Sequence, residues 1–170
     1  MKFVIAVLLS AMLIPCVSSS LLAKEKTSKI TISGAGIKRP IEIIDPKILA
    51  NLPVWTGPGT SGADRQGLII DWSDGPVRET PNTLRKYQVS FYVGAPGHER
   101  IVYVVYYVVN PDAGPGYVYL PGESDEWYGV NVHSIFRGEE GKWFPAWNAW
   151  ERVARPLIEK AERTDSIQSR

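Results

Sequence analysis

Apolar and polar positions alternate with period two across residues 87–93: Tyr87, Val89, Phe91 and Val93 against Gln88, Ser90 and Tyr92. Because successive side chains of a strand point to opposite faces, this pattern predicts a half-buried antiparallel strand with one wetter face. Gly94, Pro96 and Gly97 then turn the chain. Residues 101–109 are apolar on both faces, which predicts a central strand covered on both sides. Residues 117–120 make a short strand. Residues 127–136 read as the last long one, with Tyr128, Val130, Val132 and Phe136 on one face and Asn131 and His133 on the other. The spacing from Gln88 to Phe136 predicts a meander of four antiparallel strands.

Upstream, residues 30–33 and 41–44 are two short isoleucine-rich runs separated by Gly34-Ala35-Gly36 and Arg39-Pro40, a hairpin signal. Asp45 and Pro46 have the chemistry of an N-cap and a first helical position, so a short helix is expected to about Leu52. Residues 51–67 are irregular, 68–72 are expected as a strand, and 73–82 are rich in breakers. From Pro145 the period changes to 3.6: Trp147, Trp150, Ala154, Leu157, Ile158 and Ala161 form one stripe. Glu151 with Arg155 and Glu159 with Arg163 are i,i+4 pairs expected on the wet side. Pro156 is expected to kink the helix or split it, and residues 164–170 to fray. The sum is an α+β protein: an antiparallel sheet of about five to seven strands with a C-terminal amphipathic helix packed on one face. A single domain is expected over residues 29–163, after a polar lead-in at 24–28.

The first 23 residues have a different pattern, and it changes the picture. Lys2 is a short positive start, residues 3–17 are apolar apart from Ser10 and Pro15, and Ser18-Ser19-Ser20-Leu21-Leu22-Ala23 is rich in small residues. This order is that of a secretory signal peptide, cut after Ala23 or after Ser19. The apolar run is shorter than the roughly 20 residues of a membrane span. Pro15 before Cys16 argues against a lipidated cysteine. The expected location is therefore periplasmic or extracellular, with retention by an N-terminal membrane anchor as the weaker alternative.

Cleavage takes Cys16 away, leaving a mature chain without disulfides, thiol nucleophiles or thiolate metal sites. It also removes Lys2, so basic residues fall from 19 to 18 against 18 acidic ones. A neutral chain with intermixed charges lacks the electrostatic footprint of a nucleic-acid binder. About 147 of the 170 residues remain, enough for one core. No phosphate-binding glycine loop, HExxH, EF-hand loop or GxSxG elbow occurs, and no cofactor or metal is expected.

Two kinds of chemistry stay open. Glu123, Asp125 and Glu126 cluster in one loop, and His133 follows on the next predicted element. Carboxylates held at the right separation, with a histidine as general base, are the tools of a hydrolase. His98 sits in a turn and Asp112 in an Asn-Pro-Asp turn. The richer signal is aromatic: six tryptophans and eight tyrosines. Planar rings on an exposed sheet face stack on sugars or apolar ligand surfaces while their polar edges stay wet. Tyr92, Trp127, Tyr128 and Asn131 are the expected ligand-binding set.

Residues 32–37 (ISGAGI) and 39–46 (RPIEIIDP), with the later GYVYLPG at 116–122 and Trp127-Tyr128, resemble a recurring kind of small secreted bacterial protein. That family is uncharacterised. The resemblance implies export and a bacterial origin, and carries over no activity and no catalytic residue. The leading expectation is a non-enzymatic exported domain that binds an envelope or extracellular glycan or protein. A hydrolase acting on envelope material and a structural or assembly factor are the alternatives.

Overall fold

The computed structural model describes residues 25–60, 65–79, 81, 84–112 and 114–167. The leader, its cleavage points and Cys16 lie outside them. The first elements are a hairpin, β1 (Thr27–Gly34) and β2 (Ile37–Ile43), and a short helix, α1 (Pro46–Ala50). Asp45 caps α1, its carboxylate accepting from Lys47 N at 2.8 Å. Next come β3 (Gln66–Gly67), β4 (Ile70–Asp71), β5 (Lys86–Val93), β6 (Arg100–Val108) and β7 (Tyr117–Tyr119). Helix α2 (Tyr128–Ser134), strand β8 (Trp143–Pro145) and helix α3 (Asn148–Ile167) complete the chain.

Six strands form one antiparallel sheet in the order β2-β1-β5-β6-β7-β8, while β3 and β4 pair separately. The α+β architecture therefore holds, with β5 and β6 at its centre. Alternation sends Ile30, Ile32, Val89, Phe91, Tyr103, Val105, Tyr107 and Val118 to one face, where they are buried. Helix α3 brings Trp150, Ala154 and Ile158 to the same core, Trp150 meeting Tyr107 edge-on at 5.7 Å between centroids. The sheet's second face carries Lys29, Thr31, Gln88, Ser90, Tyr92, Tyr106, Tyr117, Tyr119 and Trp143.

Both edges of the sheet are partly blocked against pairing. On β2 the Lys38 N–H donates to Asp165 of α3 at 2.8 Å, and Pro40 removes a donor. On β8 the Trp143 carbonyl accepts from Val77 N at 2.9 Å, and Ala146 bridges Ile70. The β3–β4 turn is unusual. Leu68 and Ile69 both hold positive φ, 50° and 63°, and both are fully buried. A β-branched residue there is strained, and the burial of two apolar side chains at the hairpin tip offsets the strain. Trp147 N fixes the tip by donating to the Ile69 carbonyl at 2.8 Å.

Several expectations are corrected. Residues 127–136 are not a strand: Tyr128–Ser134 is helix α2, and the fourth meander strand is β8. The valines at 130 and 132 fit a two-residue period, but Trp127, Asn131 and Ile135 fit a four-residue one, and burial chose the latter. The strand expected at 68–72 shrinks to Ile70–Asp71 because its first two residues form the turn. Strand β1 begins at Thr27, inside the expected lead-in, and Trp147 precedes α3 rather than riding on it. Pro156 sits exposed within one continuous helix, which runs to Ile167 instead of fraying at 164.

Candidate functional site: the outer sheet face

The sheet face away from α3 is the place where aromatic rings, lysines and polar side chains meet. Opposite one another across four strands lie Gln88, Tyr106, Tyr119 and Trp143. The Tyr106 and Tyr119 rings stack at 6.4 Å with 27° between planes, and Tyr119 meets the buried Trp143 at 5.0 Å. The Lys86 ammonium lies over the Trp143 ring at 5.5 Å, and Lys29 over Tyr92 at 4.8 Å. Such cation–π contacts contribute about 0.5–1 kcal/mol each at exposed sites.

Trp127 joins this face from the start of α2. Its indole Nε1 donates to Gln88 Oε1 at 3.2 Å, and Gln88 Nε2 donates to Ser90 Oγ at 3.1 Å. Tyr92 continues the same face of β5 beyond Ser90. The structure thus brings Trp127 and Tyr92, expected partners, onto one strand face, and both are half-buried. Tyr128, also half-buried, follows Trp127 in α2. The face is drier than alternation alone implies: Ser90 is 2% exposed.

Asn131 was expected among the ligand-binding residues and is placed elsewhere. It is fully buried, and its amide spans the backbone of Val104, accepting from the N–H at 2.8 Å and donating to the carbonyl at 2.7 Å. Strand β7 pairs only with residues 106–108 of β6, so the amide satisfies the groups β7 does not reach. Helical phasing turned this side chain inward, where strand phasing would have turned it out.

The loop carboxylates separate into two kinds. Asp125 Oδ2 accepts from the Tyr119 hydroxyl at 2.9 Å and from Gly122 N at 2.7 Å, which fixes the turn beneath α2. Glu123 and Glu126 are exposed, as is His133 in the last turn of α2. Burial raises the Tyr106 hydroxyl above its usual value, and the charges of Glu126 and Asp125 raise it further. Burial also raises Tyr119, followed by its bond to Asp125. Among the described residues no group of three or more His, Cys, Asp or Glu is arranged to hold a metal.

Two polar centres have long-range partners that the sequence does not reveal. Arg137 is 5% exposed, and among the described residues its guanidinium bonds a hydroxyl and three carbonyls rather than a carboxylate. Nε donates to the Tyr103 hydroxyl at 3.1 Å, Nη1 to the carbonyls of Thr56 and Pro58, and Nη2 to that of Val54 at 2.8 Å. The guanidinium also lies over the Tyr103 and Trp72 rings at 4.8 and 5.8 Å. Desolvation lowers its pKa, and burial pushes the Tyr103 hydroxyl up to about 12 against the pull of the guanidinium. A Cβ on Gly57 would sit 2.6 Å from the Trp72 indole nitrogen, so only glycine lets the loop close on the arginine.

The second centre is Glu151. Its Oε1 accepts from the Tyr107 hydroxyl at 2.7 Å and Gly116 N at 2.8 Å, while Oε2 pairs with Arg155 at 2.9 Å. Arg155 in turn donates to the carbonyls of Asn110 and Gly114. The Glu151–Arg155 pair, expected on the wet side of α3, is instead turned to the 110–116 loop. Spacing along one helix reports that two residues are neighbours, not what a distant loop lays over them.

No family model matches the chain, and no solved structure matches it. A 75-residue stretch is 35% identical to Sodium/hydrogen exchanger 3 of Mus musculus, covering 40% of this chain and 9% of that protein. The chain therefore spans far less than two thirds of that relative's length, and the likeness shows no family.

Proposed function

We propose that this chain is a non-enzymatic exported domain that binds an envelope or extracellular glycan through its outer sheet face. The observation that carries the reading is the Trp127–Gln88–Ser90–Tyr92 line beside the stacked Tyr106 and Tyr119. Rings held by strands and hydrogen bonds lose little freedom on binding, and their flat faces suit the C–H faces of sugars. Lys29 and Lys86 supply charged groups beside the rings. Asp125, whose carboxylate accepts from the Tyr119 hydroxyl of this face, is committed to its own turn, which favours recognition over hydrolysis by that group. Export rests on the leader pattern of residues 1–23.

The test is substitution. Trp127→Ala and Tyr92→Ala are expected to weaken glycan binding by about tenfold or more each, roughly 1.4 kcal/mol, while thermal unfolding stays cooperative. Unchanged affinity in both variants would remove this face from consideration.

A further inference from the structure

A separate concave surface lies between α1 and the start of α3. Helix α1 and the first turns of α3 enclose an open groove of about 450 Å³. Its apolar lining comes from Ile48 and Leu52 on one side and Trp147 and Val153 on the other, and of these only Leu52 is buried. Lys47 and Arg152 flank it, both exposed, and no carboxylate lines it.

Neither cation has a partner among the described residues. The sequence explains why. Residues three and four positions from Lys47 are Ile43, Ile44, Ala50 and Asn51, and those from Arg152 are Asn148, Ala149, Arg155 and Pro156. No helical neighbour offers either one a counter-charge. The acid nearest in the chain to each is occupied: Asp45 caps α1, and Glu151 holds Tyr107, Gly116 and Arg155.

We infer that this groove binds a single-chain anionic amphiphile, its carboxylate or phosphate held between Lys47 and Arg152 and its tail laid on Ile48, Leu52, Trp147 and Val153. The guanidinium is a planar fork suited to such oxygens, and the ammonium adds a point charge. The volume falls within the roughly 300–1,000 Å³ of small-molecule sites. A neutral tail would gain the apolar contact alone. This site is independent of the outer face, and the two readings stand or fall separately.

The experiment is a titration of the full chain with dodecanoate and with dodecyl phosphate below their micellar concentrations, with dodecanol as the neutral comparison. Tryptophan fluorescence and melting temperature are read together. Both anions are expected to raise the melting temperature, since a ligand of the folded state stabilises it. Dodecanol is expected to bind about tenfold more weakly, and Lys47→Gln with Arg152→Gln to weaken both anions about tenfold. Trp147→Phe should remove most of the fluorescence change. Binding by one anion alone supports the site and identifies the headgroup. Equal binding of dodecanol, undiminished binding by the double variant, or no response to either anion would overturn the proposal. Lys47 and Arg152 are exposed and unpartnered, so folding of the double variant is not in question.

Discussion

The side chain of Asn131 stands in for a missing strand against Val104. Its amide makes both of the hydrogen bonds that a neighbouring backbone would make, at 2.8 and 2.7 Å, in a place without solvent exposure. Helix α2 is thereby docked on the sheet, and Trp127, one turn earlier, is set over β5. The candidate binding face depends on this pair of bonds.

Replacing Asn131 with Leu keeps much of the volume and leaves two buried backbone groups unpaired. The expected loss is about 2–4 kcal/mol, read from urea unfolding. Asn131→Asp carries a sharper expectation. A carboxylate there still accepts from Val104 N but opposes the Val104 carbonyl, so burial raises its pKa. The acid form is then favoured when folded, and the variant should regain stability as pH falls through that raised value. A variant that only loses stability in acid would contradict the arrangement.

Arg137 is expected to hold the 54–58 loop to the sheet. Arg137→Met should cost about 3 kcal/mol or more, since charged hydrogen bonds to three carbonyls are lost at once. Arg137→Lys should rescue little, because one ammonium cannot reproduce the fork. Hydrogen exchange should show the loop protected in the wild type and opened in both variants. Full stability in the lysine variant would mean the carbonyl contacts matter less than the geometry suggests.

For Glu151, amide and alanine replacements should differ. Glu151→Gln keeps an acceptor for Tyr107 and Gly116 and loses the charge toward Arg155, an expected cost of about 1–2 kcal/mol. Glu151→Ala leaves the Gly116 N–H and the Tyr107 hydroxyl without their partner and should cost about 2–4 kcal/mol. Equal losses in denaturant unfolding would place the stabilisation in the charge alone.

Alkaline pH provides a fourth check. Tyr103 is held up to about 12 from an ordinary 10.0, and burial raises Tyr87 and Tyr107 as well. Between those values the folded protein keeps a proton on Tyr103 that the unfolded chain has lost. Stability is whole below about pH 10 and falls above it, by up to about 1.4 kcal/mol per pH unit for each such tyrosine. Tyr103→Phe should flatten the slope by about one tyrosine's share. A slope identical to wild type would show that Tyr103 does not titrate with folding.

Period and turn chemistry made the sheet legible. The alternation around Phe91, the fully apolar run of β6, the Gly34-Ala35-Gly36 turn and the Asp45 cap are local signals, and each element formed where its signal lay. Helix α2 was misread because a segment this short satisfies both periods, and only the docking on Val104 decides between them. The Glu151–Arg155 pair is legible from its spacing, but the roles of Arg137 and Glu151 as polar centres are not. Their partners lie far along the chain, and no local pattern encodes a loop that closes on them. Of the candidate face, the aromatic residues Tyr92, Trp127 and Tyr128 are legible in the sequence, and the structure holds all three half-buried. Gln88, which pins Trp127, and the Tyr106–Tyr119 stack came from register alone.

The outer face is tested most directly by titrating the full chain with envelope polysaccharides and peptidoglycan fragments, following tryptophan fluorescence and melting temperature. A saturable change with at least one glycan, absent in Trp127→Ala and retained in Trp147→Phe, is the expected result. A flat response to every glycan, or a response that Trp127→Ala leaves intact, would contradict a glycan-binding role for this face.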